Sequence, residues 1–222
     1  MLPLGYSDVP DGKLAAVVTC LEMREPPPPR PERASPDPAG TAWTLRQVAD
    51  PDADWYRRLF GRIGADWLWY SRLLMPRREL EAVIGSPDVE VFALEVDGVE
   101  EGLLELDFRE PDECELAFFG LTRMLQGRGA GRWLMNRALE RAWGHPSGKR
   151  TARERGIRRL WVHTCTLDHP DALAFYLRCG FHAYARRVEV ADDPRLTGLL
   201  PRTVAAHVPI IDPQPIGADP TP

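Results

Sequence analysis

Short apolar runs and amphipathic stretches alternate along this chain, and turn residues punctuate them. Residues 89–96 (VEVFALEV) and 100–108 (EEGLLELDF) predict two strands joined through Asp97-Gly98, the strongest short hairpin signal. A third antiparallel strand is expected over 113–121, after the turn at Pro111-Asp112. Upstream, residues 13–22 and 42–48 read as strands. Asp50-Pro51 then reads as an N-cap followed by a first-turn proline, with Asp52 and Asp54 adding acid where the helix dipole favours it. That helix is expected to run to about Phe60, with Gly61 and Gly64 as stops. A second helical stretch, 65–84, should break near Pro76 and end at Gly85. Downstream, residues 132–143 place Leu134, Met135, Ala138, Leu139 and Ala142 on one helical face. A strand over 157–164, a helix over 170–179 and a strand pair, 181–190 with 203–211, complete the order β, αα, βββ, α, β, α, ββ. Such an order predicts a mixed α/β sheet.

Composition narrows the organisation. With 222 residues, 44% of them hydrophobic, the chain suffices for one substantial core, so one domain with decorated ends is expected. Residues 24–40 hold a proline-rich run that can form neither helix nor central strand, and read as a stiff connector. The boundaries that follow are an extra N-terminal strand within 1–23, the connector over 24–40, the main domain over 41–211 and a frayed tail over 212–222. A net charge of −5 argues against a protein that lives on nucleic acid or an anionic membrane. Four cysteines at no CxxC spacing imply a reducing compartment. The run 14–21 (LAAVVTCL) lacks a positively charged n-region and reads as a strand, and no apolar run approaches the length of a membrane span. A cytoplasmic protein without a membrane partner is expected.

The candidate chemistry lies where strand 113–121 gives way to helix 132–143, at Gln126-Gly127-Arg128-Gly129-Ala130-Gly131. Glycines there let consecutive backbone N–H groups point into one concavity, where the positive end of the helix dipole adds its field, which makes a phosphate cradle. Gly131 is followed by Arg132-Trp133 rather than Lys-Ser/Thr, so it is no P-loop, and the glycine spacing fits a dinucleotide fingerprint poorly. What remains, Gln-x-x-Gly-x-Gly, resembles the pyrophosphate-binding signature of the GNAT superfamily of acyl-CoA-dependent N-acyltransferases. Residues 169–181 (HPDALAFYLRCGF) resemble the later motif of the same family, an Asn followed by Ala at +3, Tyr at +7, Gly at +11 and Phe at +12, with His169 in the Asn position. Four specified residues in that register arise by chance in about one such chain in a thousand. Glu115 matches the glutamate that serves as general base in the histone-acetylating branch.

The resemblance, over roughly residues 42–211, implies a GNAT-like acyl-CoA N-acyltransferase fold, a mixed sheet whose central strands splay to admit the pantetheine arm. It implies acetyl-CoA as cosubstrate and an N-acetyltransferase moving the acetyl group to a primary amine by direct attack in a ternary complex. Glu115 and Tyr176 are then the catalytic candidates, base and proton donor. Backbone groups of Gly120 and Leu121 would meet the pantetheine amides. Gln126, Gly127, Arg128, Gly129, Ala130, Gly131 and Arg132 would hold the pyrophosphate, with His169, Ala172 and Tyr176 also toward the cofactor. The basic stretch 141–159 reads as a solvated loop or as attraction for the CoA 3′-phosphate. Acceptor recognition would come from Trp55, Trp67, Trp69, Tyr70 and Arg72, with Arg186 and Arg187 later.

On alternation alone, Glu115 shares a strand face with Ala117 and Phe119, opposite Cys114, Leu116 and Phe118. Glu105 and Asp107 on the neighbouring strand are the reserve bases, and Trp67, Tyr70 and Leu74 form a helical stripe that reads as core. His163, Cys165 and His169 carry ligand chemistry, but no second cluster completes a tetrahedron, so no metal is expected. Partners reduce to acetyl-CoA and an amine acceptor, with a homodimer allowed and no nucleic acid. A non-catalytic acyl-CoA-binding sensor or interaction module is the alternative from another class, and a nucleotide-binding regulator the third.

Overall fold

The computed structural model describes residues 4–28, 42–144 and 156–213. Most of the proline-rich connector, most of the basic stretch and most of the C-terminal tail lie outside the described residues. Among the described residues seven strands form one sheet: β1 (Lys13–Met23), β2 (Trp43–Val48), β3 (Val89–Val96), β4 (Val99–Asp107), β5 (Glu113–Leu121), β6 (Arg159–Cys165) and β7 (His182–Asp192). Their order is β2-β3-β4-β5-β6-β1-β7, antiparallel throughout except for the parallel pair β5–β6. The helices are α1 (Ala53–Gly64), α2 (Ser71–Leu74), α3 (Arg77–Ile84), α4 (Ala130–Trp143) and α5 (Ala172–Arg178).

Period-two alternation gives the central strands β3 and β4 two buried faces. Val89, Val91 and Ala93 of β3 pack with Leu103 against Tyr56, Phe60, Ile63, Leu80 and Ile84 of α1 and α3. Phe92 and Leu94 face the other way, with Leu104 and Leu106, onto Leu134, Met135 and Ala138 of α4 and Tyr176 of α5. Because helices cover both faces, the central strands are apolar almost throughout, and each fully buried Leu or Phe contributes about 1.5–3 kcal/mol.

Several expectations change. The cap of α1 is Asp52 rather than Asp50, its carboxylate accepting from the backbone N–H of Asp54 at 3.0 Å and of Trp55 at 2.9 Å. The helix runs through Gly61 to Gly64, because Phe60 and Ile63 anchor it on the sheet more strongly than the ~1 kcal/mol that a mid-helix glycine costs. Beyond a 3-10 turn at Ala65–Trp67, Leu68 is left-handed with φ 55°. Trp67, Tyr70 and Leu74 therefore share no helical face, and Leu74 is 66% exposed.

The strand expected over 203–211 does not form. Its place beside β7 is taken by β1, which lies between β6 and β7. The segment's carbonyls are occupied instead: the buried Arg195 guanidinium, held by Asp193 at 2.7 Å, donates to the carbonyls of Val208 at 2.8 Å and Ala205 at 3.2 Å. A strand would need those groups for a neighbour.

Candidate active site

Two irregularities open the sheet. Strands β5 and β6 pair only over Glu113–Glu115 against Arg159–Trp161, then part, so beyond Glu115 the main-chain groups of β5 that point away from β4 have no strand partner among the described residues. In β5 itself, Glu105 pairs with Phe118 while Leu106 pairs with Leu116, which leaves Ala117 as the extra residue of a bulge. The bulge shifts the alternation by one. Phe118 joins the α1 side with Trp69 and Phe60, and Phe119 packs with Cys114 and Leu116 toward α5, the reverse of the strict period-two expectation.

The gap becomes a cleft of about 1450 Å³. It is lined by Glu115, Gly120, Leu121, Gln126, Gly127, Arg128, Gly129, Gly131, Arg132, His169, Ala172 and Tyr176, so the geometry gathers these sequence-nominated residues at one place. Ala130 differs: its side chain is fully buried in the core under α4.

At one end stands the glycine turn, exposed to solvent. Gly127 and Gly129 have φ of 72° and 89°, left-handed values that a side chain would strain. Gly129 is the N-cap of α4 and offers no side chain to its first-turn N–H groups. These four-donor ends need a partner, and here they face a cleft that also carries Arg128 and Arg132. The turn thus fits an anionic diphosphate. Gly120 marks a close approach of another kind, since a Cβ there would lie 2.5 Å from Ile63 Cγ2 and 2.8 Å from Trp69 Cη2.

Glu115 sits where β5 and β6 part, its side chain 26% exposed. Desolvation by burial, then the charge of Asp107, push its carboxyl up to about 7, while the guanidinium groups of Arg72 and Arg109 pull the other way. His163 Nε2 on β6 lies 4.0 Å away. The reserve bases are committed elsewhere. Glu105 is fully buried and accepts from Arg72 Nη2 and Tyr56 Oη, and Asp107 accepts from Arg109 Nε at 2.9 Å.

Tyr176 is buried among Phe119, Phe175 and Phe181, with ring centroids 6.3, 5.7 and 5.8 Å away. Burial drives its phenol pKa well upward, so it stays protonated at any working pH. His169 Nδ1 accepts from the N–H of Asp171 at 3.1 Å, and its ring stands 5.0 Å from that of Trp67. His163 and Cys165 join no metal cluster with it among the described residues. Burial raises the Cys165 thiol to about 11.

Trp67, Trp69, Tyr70 and Arg72 also line the cleft. Trp55 instead donates its indole N–H to Glu100 at 2.8 Å, and Arg186 and Arg187 do not line the cleft. The ends of the basic stretch are also engaged, Arg141 with Glu90 at 2.6 Å and Arg159 with Glu22 at 2.7 Å. Among the cleft residues that the sequence did not single out, two hold its wall. Asp168 ties the wall together, accepting from Trp69 Nε1 at 3.1 Å, Thr164 Oγ1 at 2.7 Å and the Cys165 N–H at 2.8 Å. Its signal was a turn-forming Asp three residues past a strand end. Glu189 accepts from Tyr70 Oη at 2.5 Å, a contact across 119 residues that no local pattern announces.

Among the described residues no helix is long and apolar enough to cross a membrane. No curated protein matches the sequence. Its fold is similar to that of a GCN5-related N-acetyltransferase from Kribbella flavida, with a TM-score of 0.50 and 17% identity over 84% of this chain and 63% of that one. A GNAT-family protein from Novosphingobium aromaticivorans is similar at a TM-score of 0.51 and 14% identity, over 83% and 68% of the two chains. The chain thus spans under two thirds of the Kribbella protein's length. At these identities the likeness shows the fold, a GNAT-like mixed sheet. The Acetyltransferase (GNAT) family is matched over residues 53–181, more than half of the chain and inclusive of the glycine turn, Glu115 and Tyr176, so this chain belongs to the GNAT acetyltransferase family.

Proposed function

We propose that the protein transfers an acetyl group from acetyl-CoA to a primary amine by direct attack within a ternary complex. The observation that carries this is a shared cleft: the uncapped N-terminus of α4, a carboxyl raised to about 7 and a buried phenol all open onto it. Acetyl-CoA, when bound, supplies the thioester and its thiol leaving group. Backbone N–H groups of residues 127–132 hold the diphosphate, with Arg128 and Arg132 adding charge and His169 available for one hydrogen bond. Main-chain groups near Gly120 and Leu121, freed where β5 leaves β6, pair with the pantetheine amides as an added strand would.

Glu115 takes the proton of the attacking amine, directly or through a water, as a base whose pKa near neutrality suits the task. The amine nitrogen bonds to the carbonyl carbon, the carbon–sulfur bond breaks, and Tyr176 delivers its proton to the departing sulfur. Orientation of amine and thioester in one cleft contributes the larger share, about 7–11 kcal/mol in well-aligned systems. The acceptor is an amine on a small molecule, a peptide N-terminus or a lysine, received between Trp67, Trp69 and Tyr70.

The test follows free CoA thiol released from acetyl-CoA across a panel of amines, for the wild type, Glu115→Gln and Tyr176→Phe. Turnover that falls in both variants, with acetyl-CoA still bound, is the expected result. Equal turnover in all three removes the assigned roles, and binding without thiol release on any amine makes the chain an acyl-CoA-binding module instead.

A further inference from the structure

Strand β7 ends the sheet, and its outer edge has no strand partner among the described residues. It is long, 11 residues, and carries no proline. Of the devices that usually blunt an open edge, the one irregularity in its pairing with β1 lies near Tyr184, the stretch 185–192 pairs in regular register, and what remains is a set of charges, Arg186, Arg187, Glu189 and Asp192, of both signs. The face beside that edge is also uncovered. Val17 pairs with Val188 and Ala15 with Val190, and the three valines are 44%, 44% and 55% exposed. A monomer gains nothing from a bare edge bordered by bare valines.

Symmetry and charge identify the occupant. Residues opposite one another across an antiparallel pair share a face, so a twofold axis that continues the sheet through β7 must be centred on a residue and pair positions of equal parity. Centring on Arg186, Arg187 or Glu189 sets that charged residue against its own copy, which is unfavourable. Centring on Val188 sets valine against valine and places Arg187 opposite Glu189 twice, once on each side of the axis. Only that central register is complementary in both charge and apolarity.

We infer that two copies of this chain associate edge to edge through β7, antiparallel and centred on Val188, to form one continuous sheet. The consequence reaches the site. Glu189 lines the cleft and holds Tyr70, so the partner's Arg187 stands at the rim of the acceptor end. Each cleft is then completed by a cation from the other copy.

Sedimentation of the full chain over a wide micromolar range should show a reversible dimer. Arg187→Glu should weaken association by about tenfold or more, because two attractive pairs become repulsive, and Glu189→Arg should do the same. Combining the two substitutions reverses both charges of every pair and should restore the dimer, which damage to the fold would not allow. The register has its own probe. Under mild oxidant, Val188→Cys should cross-link to its own copy, since only the axial residue meets itself, while the wild type, with its four native thiols, should not. A wild type that stays monomeric across the range, or whose dimer is indifferent to the charge reversals, overturns the proposal. A dimer that yields no Val188→Cys cross-link overturns the register.

Discussion

His163 Nε2 stands 4.0 Å from Glu115 Oε1, across the gap where β6 leaves β5. The carboxyl side chain is 26% exposed, whereas the imidazole is 53% exposed, so in the proposed reaction a proton taken by Glu115 would have a short way out along β6. That arrangement links the electrostatics of Glu115 to its rate dependence. A base with a pKa of about 7 is protonated below neutrality and idle. The value of kcat/KM should therefore rise as pH climbs through about 7 and level above it. Glu115→Gln should lower the plateau by about 10²–10⁴-fold and remove the rise. A pH–rate profile with the same rising limb in both proteins would exclude Glu115 as the titrating group.

The same raised pKa bears on stability. The unfolded carboxyl titrates near 4.5, the folded one near 7, so the native state holds the proton more tightly. Stability from this group is fully present below about 4.5 and is lost as pH rises through about 7. Glu115→Gln, neutral at every pH, should thus be more stable than the wild type at pH 8 by about 1–3 kcal/mol and equal to it at pH 4. Denaturant midpoints at the two pH values decide it. A stabilised, slow enzyme is what a functional carboxylate held in an unfavourable place predicts.

Arg72 couples the proposed acceptor wall to this carboxylate. It lies over the Phe118 ring at 5.1 Å and donates to the fully buried Glu105, which also accepts from Tyr56. Arg72→Ala should cost about 3–5 kcal/mol, because it strands a buried acid. Removing its positive charge also withdraws one of the influences holding Glu115 down, so the rising limb in the rate profile should move above about 7. A limb that stays put while stability falls would assign Arg72 a purely structural part.

How much of this was legible depends on where the causes lie. Strands β3 and β5 begin and end where their apolar runs meet turn residues, and the glycine turn stands where a strand gives way to a helix, all local signals. The bulge at Ala117 was not readable: it is a mismatch of pairing between two strands, and it turns Phe118 and Phe119 onto faces opposite to those that alternation assigns. The strand expected over 203–211 failed for the same reason. Its apolar pattern is genuine, but β1, nearly two hundred residues earlier, already pairs with β7, and Arg195 claims its carbonyls. Chemistry tied to a motif was visible, and contacts made across the chain, such as Tyr70 with Glu189, were not.

Gly131 and Gly129 separate binding from folding. Gly131 lies in the first turn of α4, and a Cβ there would meet Phe175 and Leu121 at 3.7 and 3.8 Å, ordinary contact distances. Alanine is the better helix former, so Gly131→Ala should leave stability unchanged or raise it by about 0.5–1 kcal/mol. Both neighbours of that methyl group line the cleft, so it should intrude on the diphosphate and raise KM for acetyl-CoA with little change in kcat. Gly129→Ala should fail differently, losing about 1 kcal/mol because φ of 89° is strained for alanine. Thermal denaturation should therefore show a loss of stability in Gly129→Ala and none in Gly131→Ala, and steady-state kinetics on Gly131→Ala should show the raised KM. If Gly131→Ala binds acetyl-CoA as tightly as the wild type, the turn is not the diphosphate site.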